Sequence, residues 1–179
     1  MGGLRRTYSA HVQELELRCC FLNGKGFQQL AESPWPRLKV LDLTHSGFKQ
    51  FHIEVLCTMD LPVLNKLVLS DNSDMDDSTM ELLAASTWPS LQLLELEYMR
   101  ISAVGLTALR DAVTAGRFPQ LRQLSLSFTR FHCMADATRH PRYIDISNTA
   151  ITGLLDAIRH LGIDIPQRRA LDSGVHWSL

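Results

Sequence analysis

Apolar residues recur along this chain in short phrases where leucine alternates with polar residues. The phrase WPRLKVLDL at residues 35–43 returns as WPSLQLLEL at 88–96 and as FPQLRQLSL at 118–126. Such alternation predicts short β-strands, because successive side chains of a strand point to opposite faces. The L-x-L pairs begin at steps of 26, 26, 27, 30 and 20 residues, at Leu15, Leu41, Leu67, Leu94, Leu124 and Ile144. Periods of about 20 to 30 residues are typical of solenoid proteins.

Six units align on this period, starting at residues 12, 38, 64, 91, 121 and 141. They follow the pattern L-x-x-L-x-L-x-x-(N/C)-x-L, and on this pattern the chain resembles the leucine-rich repeat family over about residues 12–160, as a mixture of the ribonuclease-inhibitor-like and cysteine-containing subtypes. The resemblance implies an α/β fold, a right-handed solenoid of about six repeats with a parallel β-sheet on the concave face and helices on the convex face. Stacked units would bury leucines that one unit cannot bury alone.

This alignment divides the chain into three regions. We expect an N-terminal segment at 1–11, the repeat array at 12–160, and a tail or partial cap at 161–179. Either Ile163, Ile165 and Trp177 of the tail cover the last unit, or the chain is a piece of a longer array, or a partner supplies the cap; we favour a fragment or a divergent short member of the family. Solenoids need such caps because a terminal unit otherwise exposes its sheet edge and its leucines.

The segments between the strand phrases are typical of helices. Apolar residues recur at spacings of three and four in 26–33, 51–59, 75–86 and 102–116, which predicts four helices. A proline follows Trp35, Leu61, Trp88 and Phe118, and we expect each proline to end a helix and direct the chain into the next strand. The fifth unit is too short for a full helix, so a turn or short 3₁₀ segment is predicted at 130–141.

The ninth position of each unit is where the resemblance implies a small polar side chain that bonds the turning backbone. This position holds Cys20, Ser46, Asn72, Met99, Thr129 and Thr149. Met99 departs from the pattern. We therefore expect its loop to be looser, or to close its backbone hydrogen bonds by another route, since buried amides rarely stay unpaired.

Composition and charge narrow the classes of partner. A net charge of −1 and a pI near 6.6 provide no overall positive field for nucleic acid or anionic membranes, so neither partner is expected. No signal peptide or membrane-length apolar run is found, which favours a soluble cytoplasmic protein.

The four cysteines, Cys19, Cys20, Cys57 and Cys133, show no metal-ligand spacing and are interpreted as free thiols. The acidic stretch at 70–77 lacks the spacing of a calcium loop, and its acids fit the first turn of a helix.

The third, fifth and seventh positions of the units would project from the concave face. They hold six acids and two bases among eighteen residues, and like charges so close together should repel. We expect this face to bind a protein partner with a basic surface, with acids for steering and apolar side chains, including Val40, as anchors. The alternative is that the acids only keep an exposed sheet soluble. The predicted partner-binding residues are Glu14, Glu16, Asp42, Lys66, Leu93, Glu95, Glu97, Tyr98, Phe128, Tyr143 and Asp145.

Two classes of function fit these features. The first is a protein-protein interaction module without catalysis, as a substrate-recognition or adaptor part of a larger protein. The second resembles the leucine-rich-repeat GTPase activators, in which an exposed arginine, here Arg100 or Arg130, would stabilise phosphoryl-transfer charge. Nothing else in the sequence selects these arginines, so we predict no enzyme activity, no catalytic residue, no metal and no cofactor.

Overall fold

A computed structural model of the chain describes residues 9–126 and 148–163. These residues form an α/β fold with five strands in one parallel sheet and five helices. The strands are β1 (Glu14–Glu16), β2 (Val40–Asp42), β3 (Lys66–Val68), β4 (Leu93–Glu95) and β5 (Gln123–Ser125). The helices are α1 (Gly24–Ala31), α2 (Gln50–Thr58), α3 (Asp77–Ala85), α4 (Ala103–Thr114) and α5 (Asn148–His160).

The strands lie side by side in chain order, and the sequence period sets their register. Leu41 pairs with Leu15 on one side and with Leu67 on the other, and the same leucine ladder continues to Leu94 and Leu124. The parallel pairing predicted for the first five units is therefore confirmed. The sixth predicted strand, around Ile144, and the predicted turn at 130–141 lie outside the described residues.

The core lies between the leucine face of the sheet and the helices. The central strand leucines, such as Leu67 and Leu94, are fully buried in one cluster with helix residues such as Ile53 and Leu109. Burial of one leucine side chain stabilises the fold by roughly 2 kcal/mol, so stacking of neighbouring units provides the main driving force. Ile163, which was expected to help cover the last unit, also belongs to this cluster, whereas Ile165 and Trp177 lie outside the described residues.

The helices begin at polar caps. Asn23, Asp76 and Ser102 each accept a hydrogen bond from a backbone N–H in the first turn of α1, α3 and α4, which satisfies donors that the helix itself leaves unpaired. The four predicted helices are confirmed within two residues at each end, and α5 was not predicted. The interpretation of the acids at 70–77 as helix-start residues is confirmed for two of the four, because Asp76 caps α3 and Asp77 lies in its first turn. Asp71 and Asp74 instead lie before the helix and pair with His45 and Lys49.

The prolines do not end the helices, so that prediction was wrong. Each helix from α1 to α4 ends four or five residues before the proline in question, which is Pro36, Pro62, Pro89 or Pro119. The proline instead occupies the second position of a β-turn, for which its fixed φ is suited. In the first of these turns the Leu38 N–H donates to the Trp35 carbonyl at 3.3 Å. The indole of Trp35 donates to the Leu30 carbonyl at 3.0 Å, which satisfies an acceptor near the end of α1.

A tight turn after each strand explains the ninth position. The residue before it, at the eighth position, has a positive φ of 52° to 58° in four successive units, at Cys19, His45, Asp71 and Tyr98. Asn72, at the ninth position, forms hydrogen bonds with its own turn and with the turn of the preceding unit. Its Oδ1 accepts from the N–H groups of Ser46 and Phe48 at 3.0 Å, and its Nδ2 donates to the carbonyls of Leu43 and Leu69 at 3.0 and 2.8 Å.

Met99 is fully buried in the core, and the loop after it closes its hydrogen bonds by another route, the second of the two expected outcomes. The Asp77 Oδ1 atom accepts from the N–H groups of Ser102 and Gly105 at 2.8 and 3.1 Å, and Asp77 also accepts from the Ser102 hydroxyl. A carboxylate from the preceding helix thus holds the backbone at the start of α4.

Candidate partner-binding face

The side of the sheet opposite the leucines carries the predicted binding residues, and we call it the open sheet face. Helices α1 to α5 pack on the leucine side, and no helix in the described ranges covers the other side. Five strands at about 4.8 Å spacing make this face about 19 Å wide. Its side chains come from the third, fifth and seventh positions: Glu14, Glu16, Arg18, Val40, Asp42, Thr44, Lys66, Val68, Ser70, Leu93, Glu95, Glu97, Gln123 and Ser125.

Arg18 neutralises the acids between β1 and β2. Its Nε and Nη2 atoms both lie 2.7 Å from Asp42 Oδ2, and its Nε lies 3.8 Å from Glu16 Oε2. The Asp42 side chain is only 3% exposed, and its other oxygen accepts from the N–H and hydroxyl groups of Thr44 at 3.0 and 2.6 Å. The hydrogen bond with Asp42, and then the charges of Asp42 and Glu16, raise the pKa of the Arg18 guanidinium. Arg18 therefore neutralises the charge of the buried Asp42 carboxylate, and both carboxylate oxygens accept hydrogen bonds.

A second ion pair joins β3 to β4. Lys66 Nζ lies 2.9 Å from Glu95 Oε1, and both side chains are partly exposed. Glu97 is buried and accepts a hydrogen bond from the Ser125 hydroxyl, while its own N–H donates to Ser70 Oγ at 3.2 Å. The carboxylates at the centre of the face are thus held by partners from neighbouring strands.

The repulsion expected between neighbouring carboxylates is thus offset by these ion pairs and hydrogen bonds within the sheet. Five acids and two bases lie on the described part of the face, which leaves a net charge of −3. Only Glu14 and Glu16, both on β1, are exposed acids, and Glu14 forms no ion pair within the part of the chain that the structure describes. The excess of negative charge that solvent can reach therefore lies at the β1 side.

The apolar side chains of the face lie on β2, β3 and β4. Val40 on β2 and Leu93 on β4 are partly exposed and both pair with Lys66 of β3, whereas Val68, two residues further along β3, is buried. Tyr98 is 48% exposed and lies in the turn after β4. The structure therefore places three of the proposed anchors on or beside this face. Phe128, Tyr143 and Asp145 lie outside the described residues.

Sequence reasoning missed a row of exposed side chains along the turns that follow the strands. Phe21 is 60% exposed and contacts the ring of His45 edge-on, with ring centroids 5.5 Å apart. His45 Nδ1 lies 2.8 Å from Asp71 Oδ2 in the next turn. His45 and Asp71 occupy the eighth position together with Tyr98, so the repeat period could have revealed the row. His and Asp are residue types that favour a positive φ, whereas Tyr98 is not.

No site for a metal was found among the described residues, where no group of three or more His, Cys, Asp or Glu side chains is arranged to hold an ion. Cys19, Cys20 and Cys57 are free thiols, and Cys133 lies outside the described ranges. Burial raises the pKa of the Cys57 thiol, partly offset by a hydrogen bond with Ser86. Within 9–126 and 148–163, no helix has the length and apolar character needed to cross a membrane.

Two depressions on the surface lie away from the open sheet face. A shallow groove of about 450 Å³ runs over α3 and α4, between Glu81 and Asp111, and a cleft of about 290 Å³ at the ends of α2 and α3 includes Cys57 and Trp88. Arg100, the candidate for GTPase activation, is exposed, and Arg130 lies outside the described residues. Neither depression contains Arg100, so the GTPase-activating alternative stays a prediction.

Comparison with known proteins adds no assignment: the chain matches no protein-family model, and no curated protein matches it significantly. We therefore base the function on the geometry of the open sheet face.

Proposed function

We propose that this chain is a leucine-rich-repeat solenoid that binds a partner protein through the open sheet face, as a non-catalytic recognition or adaptor part of a larger intracellular protein. The sheet would form the concave side of a right-handed array, and the helices its convex side. The observation that carries the proposal is a five-stranded face, free of helices in the described ranges, on which ion pairs lie beside the partly exposed Val40 and Leu93.

The ion pairs favour binding because they hold the face in one arrangement before the partner arrives. Arg18 is fixed by Asp42, and Lys66 by Glu95, so these long side chains lose less freedom when a partner covers them. Val40 and Leu93 then offer apolar contacts among polar and charged side chains. Apolar contacts with a polar rim are the usual anatomy of a protein interface.

The size of the face limits the affinity that it can provide alone. Five strands, each presenting about five residues at about 3.3 Å, cover roughly 320 Å², well below the ~800 Å² per partner of a stable interface. A tight complex therefore has to extend onto the adjacent turns, where Phe21, His45 and Tyr98 are exposed. A partner that contacts only the face should bind transiently.

The charge of the face favours a partner with a basic surface. The net charge of −3 on its described part would steer such a partner electrostatically and suppress acidic competitors. Exposed charges are screened within about 8 Å at physiological salt, so we expect the association rate to fall as salt concentration rises.

The proposal is tested by affinity capture with the full chain from a lysate of the source cells, followed by mass spectrometry and by binding measurements with the purified partner. Leu93→Arg places a long cation among the apolar side chains of the face and should abolish binding. Val104→Arg makes the same type of change at a side chain on α4 that is 55% exposed, and should leave binding intact. Circular dichroism must first show that both variants fold.

If Leu93→Arg captures the partner as well as the unmodified chain does, the open sheet face is not the binding site. Leu93 is a better test position than Glu97, because Glu97 is buried and bonded to Ser125, so its replacement would also disturb the fold.

A further inference from the structure

Strand β1 has an edge to which another strand can be added. It pairs with β2 alone among the described strands. The N–H groups of Leu17 and Cys19 donate to the carbonyls of Asp42 and Thr44 at 2.8 and 3.0 Å, and the Gln13 carbonyl accepts from the Val40 N–H at 3.0 Å. The odd-numbered residues of β1 and its extensions therefore form the hydrogen bonds to β2.

The even-numbered residues point their backbone groups the other way, because successive residues of a strand alternate sides. In β2 the equivalent groups are used, since the carbonyls of Asp42 and Thr44 accept from the preceding strand. In β1 the N–H and C=O groups of Glu14, Glu16 and Arg18 have no such strand beside them in the described part of the chain. The Arg18 carbonyl accepts from the Cys20 thiol at 3.5 Å, and the other groups of this row form no hydrogen bond within the described residues. Such a row is a template for pairing with another chain.

The leucines of the first unit are incompletely covered at the same edge. Val12, Leu15, Leu17 and Leu22 are only partly buried. Their equivalents in the second unit are completely buried: Leu38, Leu41, Leu43 and Phe48 each have 0% exposure. Among the described residues, the second unit has a neighbour on both sides and the first unit on one side only, which accounts for the difference. An added strand would therefore gain apolar burial as well as main-chain hydrogen bonds.

We propose that the β1 edge binds, by strand addition, an extended segment of a partner protein in which basic and apolar side chains alternate. On the open sheet face, the basic side chains would lie next to the exposed Glu14 and Glu16, about 5 Å away across the strands. On the other face, the apolar side chains would cover Leu15 and Leu17. This inference builds on the proposed protein-binding function but uses the edge of the sheet rather than its centre.

Charge decides among the possible occupants. A second copy pairing through its own β1 brings Glu16 against Glu16 or Glu14, and Arg18 is already bound by Asp42. Like charges directly opposite each other destabilise a strand pair. A segment with basic side chains at alternate positions meets opposite charges at both acids. The same segment forms the main-chain hydrogen bonds that give strand addition its affinity.

The test uses the full chain and a fluorescent peptide of alternating arginine and leucine, with binding followed by fluorescence anisotropy. A peptide of alternating glutamate and leucine controls for charge, and an arginine-leucine peptide with alternate backbone nitrogens methylated controls for main-chain pairing. We expect the unmodified peptide to bind and both control peptides to bind at least about tenfold more weakly.

The matched variants separate the edge from general charge effects. Glu14→Lys with Glu16→Lys should weaken binding of the arginine-leucine peptide at least about tenfold. Glu32→Lys with Glu81→Lys makes the same charge change at two exposed positions, one just after α1 and one in α3, and should leave the affinity within about twofold. Leu93→Arg should also leave peptide binding unchanged, although it abolishes partner capture by the open sheet face.

Amide hydrogen exchange locates the peptide. On binding, the amides of Glu16 and Arg18 should become protected, while those of Leu15 and Leu17 face β2 and should already exchange slowly. Equal binding to the Glu14→Lys, Glu16→Lys variant, or loss of peptide binding in Leu93→Arg, would overturn the proposal. Slow exchange of Glu16 and Arg18 in the free chain would also overturn it, because the chain's own residues would then hold the edge.

Discussion

Gly105 sets the spacing between α3 and α4, and its replacement by alanine tests the contact that closes the loop after Met99. It is the third residue of α4 and is buried. A β-carbon at this position would lie 2.7 Å from Asp77 Oδ1 and 2.7 Å from Ile101 Cγ2. Both distances are too short for non-bonded atoms, so Gly105→Ala must displace the Asp77 carboxylate or separate the two helices.

The magnitude follows from three effects. Weakening the hydrogen bonds from Ser102 and Gly105 to the Asp77 carboxylate costs roughly 1.5–3 kcal/mol. Overpacking of a filled site costs about 1–3 kcal/mol. Alanine gains about 1 kcal/mol over glycine as a helix former, which offsets part of the loss. We therefore expect Gly105→Ala to lower the free energy of unfolding by about 2–4 kcal/mol.

Urea unfolding followed by circular dichroism measures this loss, and Gly153→Ala in α5 is the matched control. Among the described residues, a β-carbon at Gly153 meets only Arg110, with Nη1 at 3.3 Å, and this flexible side chain can move away. Gly153→Ala should therefore unfold at the same urea concentration as the unmodified chain or at a slightly higher one.

A Gly105→Ala protein as stable as the unmodified chain would refute this account of the loop after Met99. A double-mutant cycle isolates the carboxylate. In an Asp77→Ala background the hydrogen bonds are already absent, so the penalty of Gly105→Ala should fall by about 1 kcal/mol or more. If the penalty is unchanged, the whole destabilisation comes from the close contact with Ile101.

Three further results are expected. Asn72→Ala removes hydrogen bonds to two successive turns and should lower the free energy of unfolding by about 3 kcal/mol; a loss below about 1 kcal/mol would contradict its role. Hydrogen bonds from Ser78 and Thr79 lower the pKa of Asp76, so Asp76→Asn should destabilise the chain by about 0.5 kcal/mol at pH 7. Because the folded pKa lies below the unfolded value of about 3.9, this difference should narrow as pH falls below about 4; a constant difference would contradict it. Cys57 should react with a thiol reagent far more slowly than the exposed Cys19 and Cys20 until urea unfolds the chain, as peptide mapping can show.

The strands and their register were predictable from the sequence because burial of the leucines leaves one consistent arrangement. A shift by one residue would turn Leu41 or Leu67 from the core to solvent, so the 26-residue steps and the pairing agree. The proline turns were not predictable in the same way. Pro36 is compatible both with stopping a helix and with the second position of a turn, and the choice depends on where the preceding helix ends.

The candidate face was predictable as a set of positions but not as a set of charges. A polar residue beside strand leucines is expected to be exposed, yet Asp42 is buried under Arg18 from the preceding unit. The two residues are 24 positions apart, and their contact depends on the side-chain conformation of Arg18. The residue types at each position of the repeat do not specify that conformation. The same reason applies to the pair of Lys66 and Glu95.

This distribution of charges determines where a partner can gain binding energy. The carboxylate of Asp42 already has its cation, and a partner that replaced Arg18 would have to offset the cost of leaving that guanidinium unpaired. Basic groups of a partner gain more at Glu14 and Glu16, beside the edge of β1 that carries no other strand in the described part of the chain, and its apolar groups gain most over Val40 and Leu93. We infer that a partner binds in one orientation across the sheet, with its basic side toward β1 and its apolar side toward β4. Salt should therefore weaken the contacts at β1 more than the contacts at β4.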